Sequence, residues 1–125
     1  LIDVIVSDHL PEDEESKRLP FAQAATGAIG VETLLPLSLE MYHNESLPLN
    51  KIIETLTINP SKILKIKKGS LSKGSDGDIC IFDLEAPWAV KAEDLKSKSK
   101  NTAIEGRNLQ GKVLMTFLNG ELVFS

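Results

Sequence analysis

The sequence predicts an α/β protein in two parts: a strand with helices over residues 1–67, then a β-rich part over residues 68–125. Three observations carry that expectation. An apolar run, Leu1 to Val6, ends abruptly in Ser7-Asp8-His9. With Val4, Ile5 and Val6 in sequence it reads as a strand buried on both faces, the kind found in parallel sheets. Apolar residues then recur with helical period as far as Lys68. From Gly69 the pattern changes to short β-type runs punctuated by glycine, closing on an Asn119-Gly120 turn. Because the chain opens inside an element, with Leu1 rather than Met, it reads as the back end of something larger.

Each element has its own local signal. Pro11 to Leu19, with Glu12, Asp13, Glu14 and Glu15 in a row, reads as a solvated acidic loop. Thr26-Gly27-Ala28-Ile29-Gly30 is small and permissive, so its backbone can turn tightly or approach a ligand closely. A helix is expected over roughly 31–43, with Leu35, Leu39 and Tyr42 on its apolar face, Glu32 at its positive end, and a late start or kink at Pro36. In the next helix Ser46 serves as cap, Pro48 lies in the first turn, and Leu49, Ile52, Ile53 and Leu56 follow at helical spacing. A third, short helix begins at Asn59-Pro60 and buries Ile63 and Leu64. Lys65, Lys67 and Lys68 crowd its negative end, and Gly69 stops it.

In the β-rich part Ile79-Cys80-Ile81-Phe82 reads as a buried strand ending at Asp83, and Trp88-Ala89-Val90 as a shorter one. Lys96, Lys98 and Lys100 alternate with serine in a solvated linker. Val113 to Leu118 and Leu122 to Phe124 form a hairpin about Asn119-Gly120.

Composition excludes some functions. At 125 residues, 42% hydrophobic and 26% charged, the chain suits one core or two partial ones. A net charge of −4 argues against a nucleic-acid or anionic-membrane surface, and no apolar segment reaches membrane-spanning length. A single cysteine, Cys80, excludes an internal disulfide framework and suits a reducing, cytoplasmic setting; its strand context reads as a buried, inert thiol.

Chemistry centres on Asp8. A carboxylate just past the carboxyl end of a parallel strand, followed by a glycine-rich loop and a helix, can ligate a metal and take a proton from water that the metal activates. One carboxylate cannot hold a catalytic metal alone. The other histidine, His43, falls near the far end of a helix and reads as a packing residue. No Ser-His-Asp, Cys-His, P-loop or Cys/His metal pattern is present, so the remaining ligands must come from outside this chain.

The run Asp3-Val4-Ile5-Val6-Ser7-Asp8-His9-Leu10-Pro11, then Lys17, Phe21, Ala24, Gly27, Gly30 and Val31-Glu32-Thr33-Leu34-Leu35-Pro36-Leu37, resembles the C-terminal signature of dihydroorotases, members of the amidohydrolase superfamily. The likeness continues through Asn59-Pro60-Ser61-Lys62-Ile63-Leu64, Asp78 to Asp83, Lys100-Asn101-Thr102, Glu105-Gly106, Gly111-Lys112-Val113 and Asn119-Gly120. Asp-His-x-Pro is shared with allantoinases and hydantoinases, so another cyclic amidohydrolase of that type is an alternative the resemblance leaves open; the run from Gly27 to Pro36 is closer to the dihydroorotase side.

The resemblance implies the C-terminal end of a TIM-type (β/α)8 barrel, its last strand plus closing helices, followed by part of a small β-sandwich completed by strands from elsewhere in the polypeptide. It implies reversible hydrolysis of the dihydroorotate ring amide to N-carbamoyl-L-aspartate, in pyrimidine biosynthesis, with one or two Zn2+ per site. Asp8 would be a zinc ligand that shuttles the proton between the attacking hydroxide and the ring nitrogen. The backbone around Ala25, Thr26 and Gly27 would hydrogen-bond the substrate. Two departures stand out. Glu12 occupies the place where many members carry a substrate-contacting histidine, an acceptor where a dianionic substrate wants a donor. Ala25-Thr26 replaces a common Pro-Phe pair. The family's other metal ligands are not in this chain, so the 125 residues alone are expected to be inactive. Partners implied are the rest of its own barrel and further copies in a homo-oligomer. In a catalytically silent homologue the partner would be aspartate transcarbamoylase.

Overall fold

The computed structural model describes residues 2–125. The elements run α1 (Glu14–Arg18), α2 (Leu34–His43), α3 (Leu49–Leu56), α4 (Ile58–Leu64), β1 (Ile79–Ala89), a 3-10 turn (Ala92–Asp94), β2 (Asn108–Leu118) and β3 (Glu121–Phe124). The three strands form one antiparallel sheet in the order β1-β2-β3.

The opening segment departs from expectation. Leu1 lies outside the described residues, and residues 2–8 join no sheet. A strand buried on both faces needs a paired strand on each side, and none of the described residues supplies one. Ile2 and Val6 stay about 70% exposed (69% and 70%). The segment is instead held from the helical side: Ile5 N–H donates to Thr55 O (3.2 Å) and Asn59 Nδ2 donates to Asp3 O (2.8 Å). What survives of the parallel pairing is a single bridge between His9 and Ala28.

The acidic loop contains a helix. Asp13 caps α1 by accepting from Ser16 N–H (2.8 Å), Glu14 and Glu15 occupy the first turn, and Lys17 and Arg18 the last. α2 starts late, as Pro36 requires, with Thr33 before its first residue. Glu32 lies outside α2 and serves another segment, described below. Ser46 does not cap α3; Pro48 is the flanking residue, its carbonyl accepting from Lys51 and Ile52. α4 starts at Ile58, so Asn59 lies inside it with its amide turned to Asp3. Ile63 and Leu64 are exposed rather than buried, at 66% and 67%; the buried side of α4 is Ser61, bonded to Thr57 O. The helix stops at Lys65 in the left-handed conformation (φ 56°), before Gly69. Lys68 leaves the helix end to pair with Asp76 (2.7 Å) and Asp78 (2.5 Å), which raise its pKa.

The two short strands expected near Ile79 and Trp88 are one, β1, bent by register shifts between Ile81 and Phe82 and between Asp83 and Pro87. Cys80 is exposed, which corrects the buried reading. Its sulfur is still partly desolvated, and that raises the thiol above its ordinary pKa against a smaller opposing hydrogen bond from Thr116. The hairpin forms as expected: Asn119 and Gly120 both take positive φ (52° and 82°), as a type I′ turn demands.

The core draws on both parts of the chain. Ile29, Val90, Leu95 and Leu109 are buried together, with Leu37, Trp88 and Ile104 packed against them. α2 lies across β2. There Gly111 allows the closest approach: a Cβ at this position would meet Leu39 Cδ1 at 2.5 Å, and its φ of +100° is one that other residues rarely adopt.

Candidate active site

Asp8 lines a cleft of about 670 Å³ whose walls also include Ile5, Gly27, Gly30, Leu37 and Ile104. Its backbone is left-handed, with φ 45°, and its side chain is exposed. Among the described residues its carboxylate has no hydrogen-bond or ion-pair partner. Left-handed backbone is strained for any residue with a Cβ, though Asp and Asn tolerate it best. Such strain, beside a cleft, is where functional groups are commonly found.

The next residue is structural. His9 Nδ1 accepts from Gly30 N–H (3.0 Å) and Val31 N–H (3.4 Å), fastening the opening segment to the glycine-rich loop. Leu10 N–H adds a bond to Ala28 O (3.0 Å). This close approach needs Gly27, whose φ is +114° and where a Cβ would lie 2.8 Å from Leu10.

The loop Ala25-Thr26-Gly27 is pinned from two sides. Lys17 Nζ donates to Ala25 O (2.7 Å) and Gly27 O (3.0 Å). Asn101 Nδ2 also donates to Gly27 O (3.2 Å). Ala25 N–H donates to Ser16 O (3.0 Å). Thr26 is exposed and has no hydrogen-bond partner among the described residues, so its peptide groups are those free to meet a ligand. Glu12 is half-buried and its backbone is held at both polar atoms: N–H donates to Asn101 Oδ1 (3.4 Å), and the carbonyl accepts from Ser99 Oγ (2.5 Å). Asp8 and Gly27 thus line the same cleft, and Glu12 is tied to Gly27 through Asn101.

The segment expected to be a solvated lysine-serine linker is bonded to this region. Glu32 accepts from Lys96 N–H (2.9 Å) and Ser97 N–H (3.0 Å), while Ile29 N–H donates to Asn101 O (3.2 Å). Lys17 and Asn101 are the residues whose roles sequence reasoning missed. Both stand in the run that carries the family resemblance, but nothing local says what they bond. His43 is a packing residue, edge-on to Tyr42, with Nδ1 3.9 Å from Glu85.

Among the described residues no group of three His, Cys, Asp or Glu side chains could hold a metal ion. An unpartnered, accessible carboxylate fits a single oxygen ligand of a metal whose other ligands lie elsewhere. Asp8, which also lines the cleft, meets that description.

The chain belongs to the Amidohydrolase family, whose pattern it matches over residues 1–123. Among curated relatives, the dihydroorotase of Ehrlichia chaffeensis is 42% identical over 99% of this chain and 28% of its own length. Of solved structures, a dihydropyrimidinase from Brevibacillus agri superposes with a TM-score of 0.91 at 23% identity, over 97% of this chain and 28% of that one. An L-hydantoinase (dihydropyrimidinase) from Arthrobacter aurescens gives 0.74 at 32% identity, over 82% and 23%. The chain thus spans under a third of the length of the relatives it matches.

Proposed function

We propose that this chain is the C-terminal part of a zinc-dependent dihydroorotase, catalysing reversible hydrolysis of the dihydroorotate ring amide to N-carbamoyl-L-aspartate in the cytoplasm. Residues 1–67 would close the (β/α)8 barrel, and residues 68–125 would contribute to the composite β-sandwich. The observation that carries this reading is Asp8, a free carboxylate lining a cleft, in a chain about 40% identical to dihydroorotases over its whole length (42% and 40%).

One or two zinc ions, when bound, would polarise the scissile carbonyl and lower the pKa of the attacking water. Asp8 would hold a metal through one carboxylate oxygen, receive the proton of the attacking water and return it to the ring nitrogen as the amide opens. Polar groups of the Thr26 backbone would meet the substrate, with Ala25 and Gly27 held behind it by Lys17. Other copies of the protein in a homo-oligomer, and the rest of its own barrel, are the partners this reading entails.

Glu12 favours a second reading: a silent homologue that scaffolds aspartate transcarbamoylase, since an acidic side chain repels a dianionic substrate. Both are tested with a polypeptide of the relatives' full length that carries this segment. On the first reading, zinc-loaded protein hydrolyses dihydroorotate, and Asp8→Asn lowers turnover at least a hundredfold, the scale on which general acid–base groups act. A zinc-loaded parent without turnover rejects it in favour of the scaffold.

A further inference from the structure

We propose that Asn101, contributed by the β-rich part, is a positioning residue that holds both substrate-facing loops of the site in register; this deepens the dihydroorotase reading and rests on it. Three hydrogen bonds converge on this one half-buried residue. Its Oδ1 accepts from Glu12 N–H (3.4 Å), its Nδ2 donates to Gly27 O (3.2 Å), and its backbone carbonyl accepts from Ile29 N–H (3.2 Å). Glu12 lies four residues past Asp8, and Gly27 ends the loop facing it. A side chain that donates to one and accepts from the other sets the distance between them. A side-chain amide offers a donor and an acceptor on one short planar group. Ser99 Oγ completes the bracket by donating to Glu12 O (2.5 Å), so both polar backbone atoms of Glu12 are fixed from this segment.

Lys17 reaches Gly27 O from the opposite side, at 3.0 Å. It is tethered to α1, however, and touches no atom of Glu12 among the described bonds. Asn101 is the residue that joins the two loops.

The test uses the full-length zinc-loaded protein with Asn101→Ala, Asn101→Asp and, as a distant exposed control, Lys73→Ala. Loss of two neutral hydrogen bonds that orient a binding loop corresponds to a rise of roughly tenfold in KM for dihydroorotate in Asn101→Ala, with a smaller change in kcat and unchanged zinc content. Asn101→Asp keeps the acceptor for Glu12 and sets a carboxylate against Gly27 O. In that variant, hydrogen exchange should quicken across residues 27–29 while the Glu12 amide keeps its protection; Asn101→Ala should release both. Equal KM in parent and Asn101→Ala, or exchange unchanged at residues 12 and 27–29, overturns the assignment. If the parent neither binds nor hydrolyses dihydroorotate, the functional reading fails by itself. The exchange pattern then decides the bracket: selective release at those residues sustains it, and release no greater than in α3 overturns it.

Discussion

Asp8 is held in a conformation that costs stability, and the cost is separable from its chemistry. Asp8→Asn keeps a residue tolerant of left-handed backbone, so loss of turnover in that variant reports on the carboxylate rather than on folding. Asp8→Gly removes the strain as well. Relief of left-handed strain, partly offset by the greater freedom of glycine in the unfolded chain, should raise stability by about 0.5–1 kcal/mol while abolishing turnover. Urea denaturation of the two variants checks this; a less stable glycine variant would show that Asp8 makes a stabilising contact. Its neighbour His9 behaves in the opposite way, since its ring accepts two backbone N–H groups and serves the fold.

At the scale of single elements, α1 and the α2–β2 contact expose different kinds of dependence. The Asp13 carboxyl is held below its ordinary range, first by the Ser16 hydroxyl and then by the Ser16 backbone N–H. Its support of α1 is therefore complete above the ordinary carboxylate pKa of 3.8 and lost as pH falls through the lower folded value. Amide exchange in residues 14–18 should accelerate over that acid range ahead of exchange in α2, and an α1 that melts only together with α2 would refute it. At Gly111, an added methyl would press on fully buried Leu39 while forcing a positive φ. Gly111→Ala should cost roughly 2 kcal/mol or more in chemical denaturation.

These elements also show what the sequence makes legible. The Asn119-Gly120 hairpin was readable because turn chemistry is decided within a few residues. The late start of α2 was readable because proline acts on its own turn. The opening strand is not realised among the described residues because strand pairing needs lateral partners, which local sequence does not supply. Likewise, nothing in Lys96-Ser97-Lys98-Ser99-Lys100 reveals acceptors that lie 64 to 87 residues upstream. Of the site, Asp8 was legible from its place after an apolar run, whereas the bracket by Lys17 and Asn101 was not, since long polar side chains find their partners only in the folded state.

For the whole molecule, exposed apolar surface governs behaviour in solution. Ile2, Val6, Phe21 and Val31 stand at 60–99% exposure on the helical side (Val31 60%, Phe21 99%), and Leu122 and Val123 at 53% and 58% on the outer strand β3. Surface of this extent, beside an open sheet edge, favours association. The 125-residue chain by itself should therefore sediment as oligomers that shift with concentration; a monodisperse monomer at tens of micromolar (about 10–100 µM) would contradict this.

The bonds from Glu32, Glu12 and Gly27 to residues 96–101 also constrain how this protein can be recombined with its relatives. A chimera joined at residue 68 would pair one parent's loops with the other parent's bracket, and mismatches would fall beside the cleft although the junction lies far from it. Carrying residues 95–102 together with residues 8–32 from the same parent keeps these partners matched, wherever the crossover is placed.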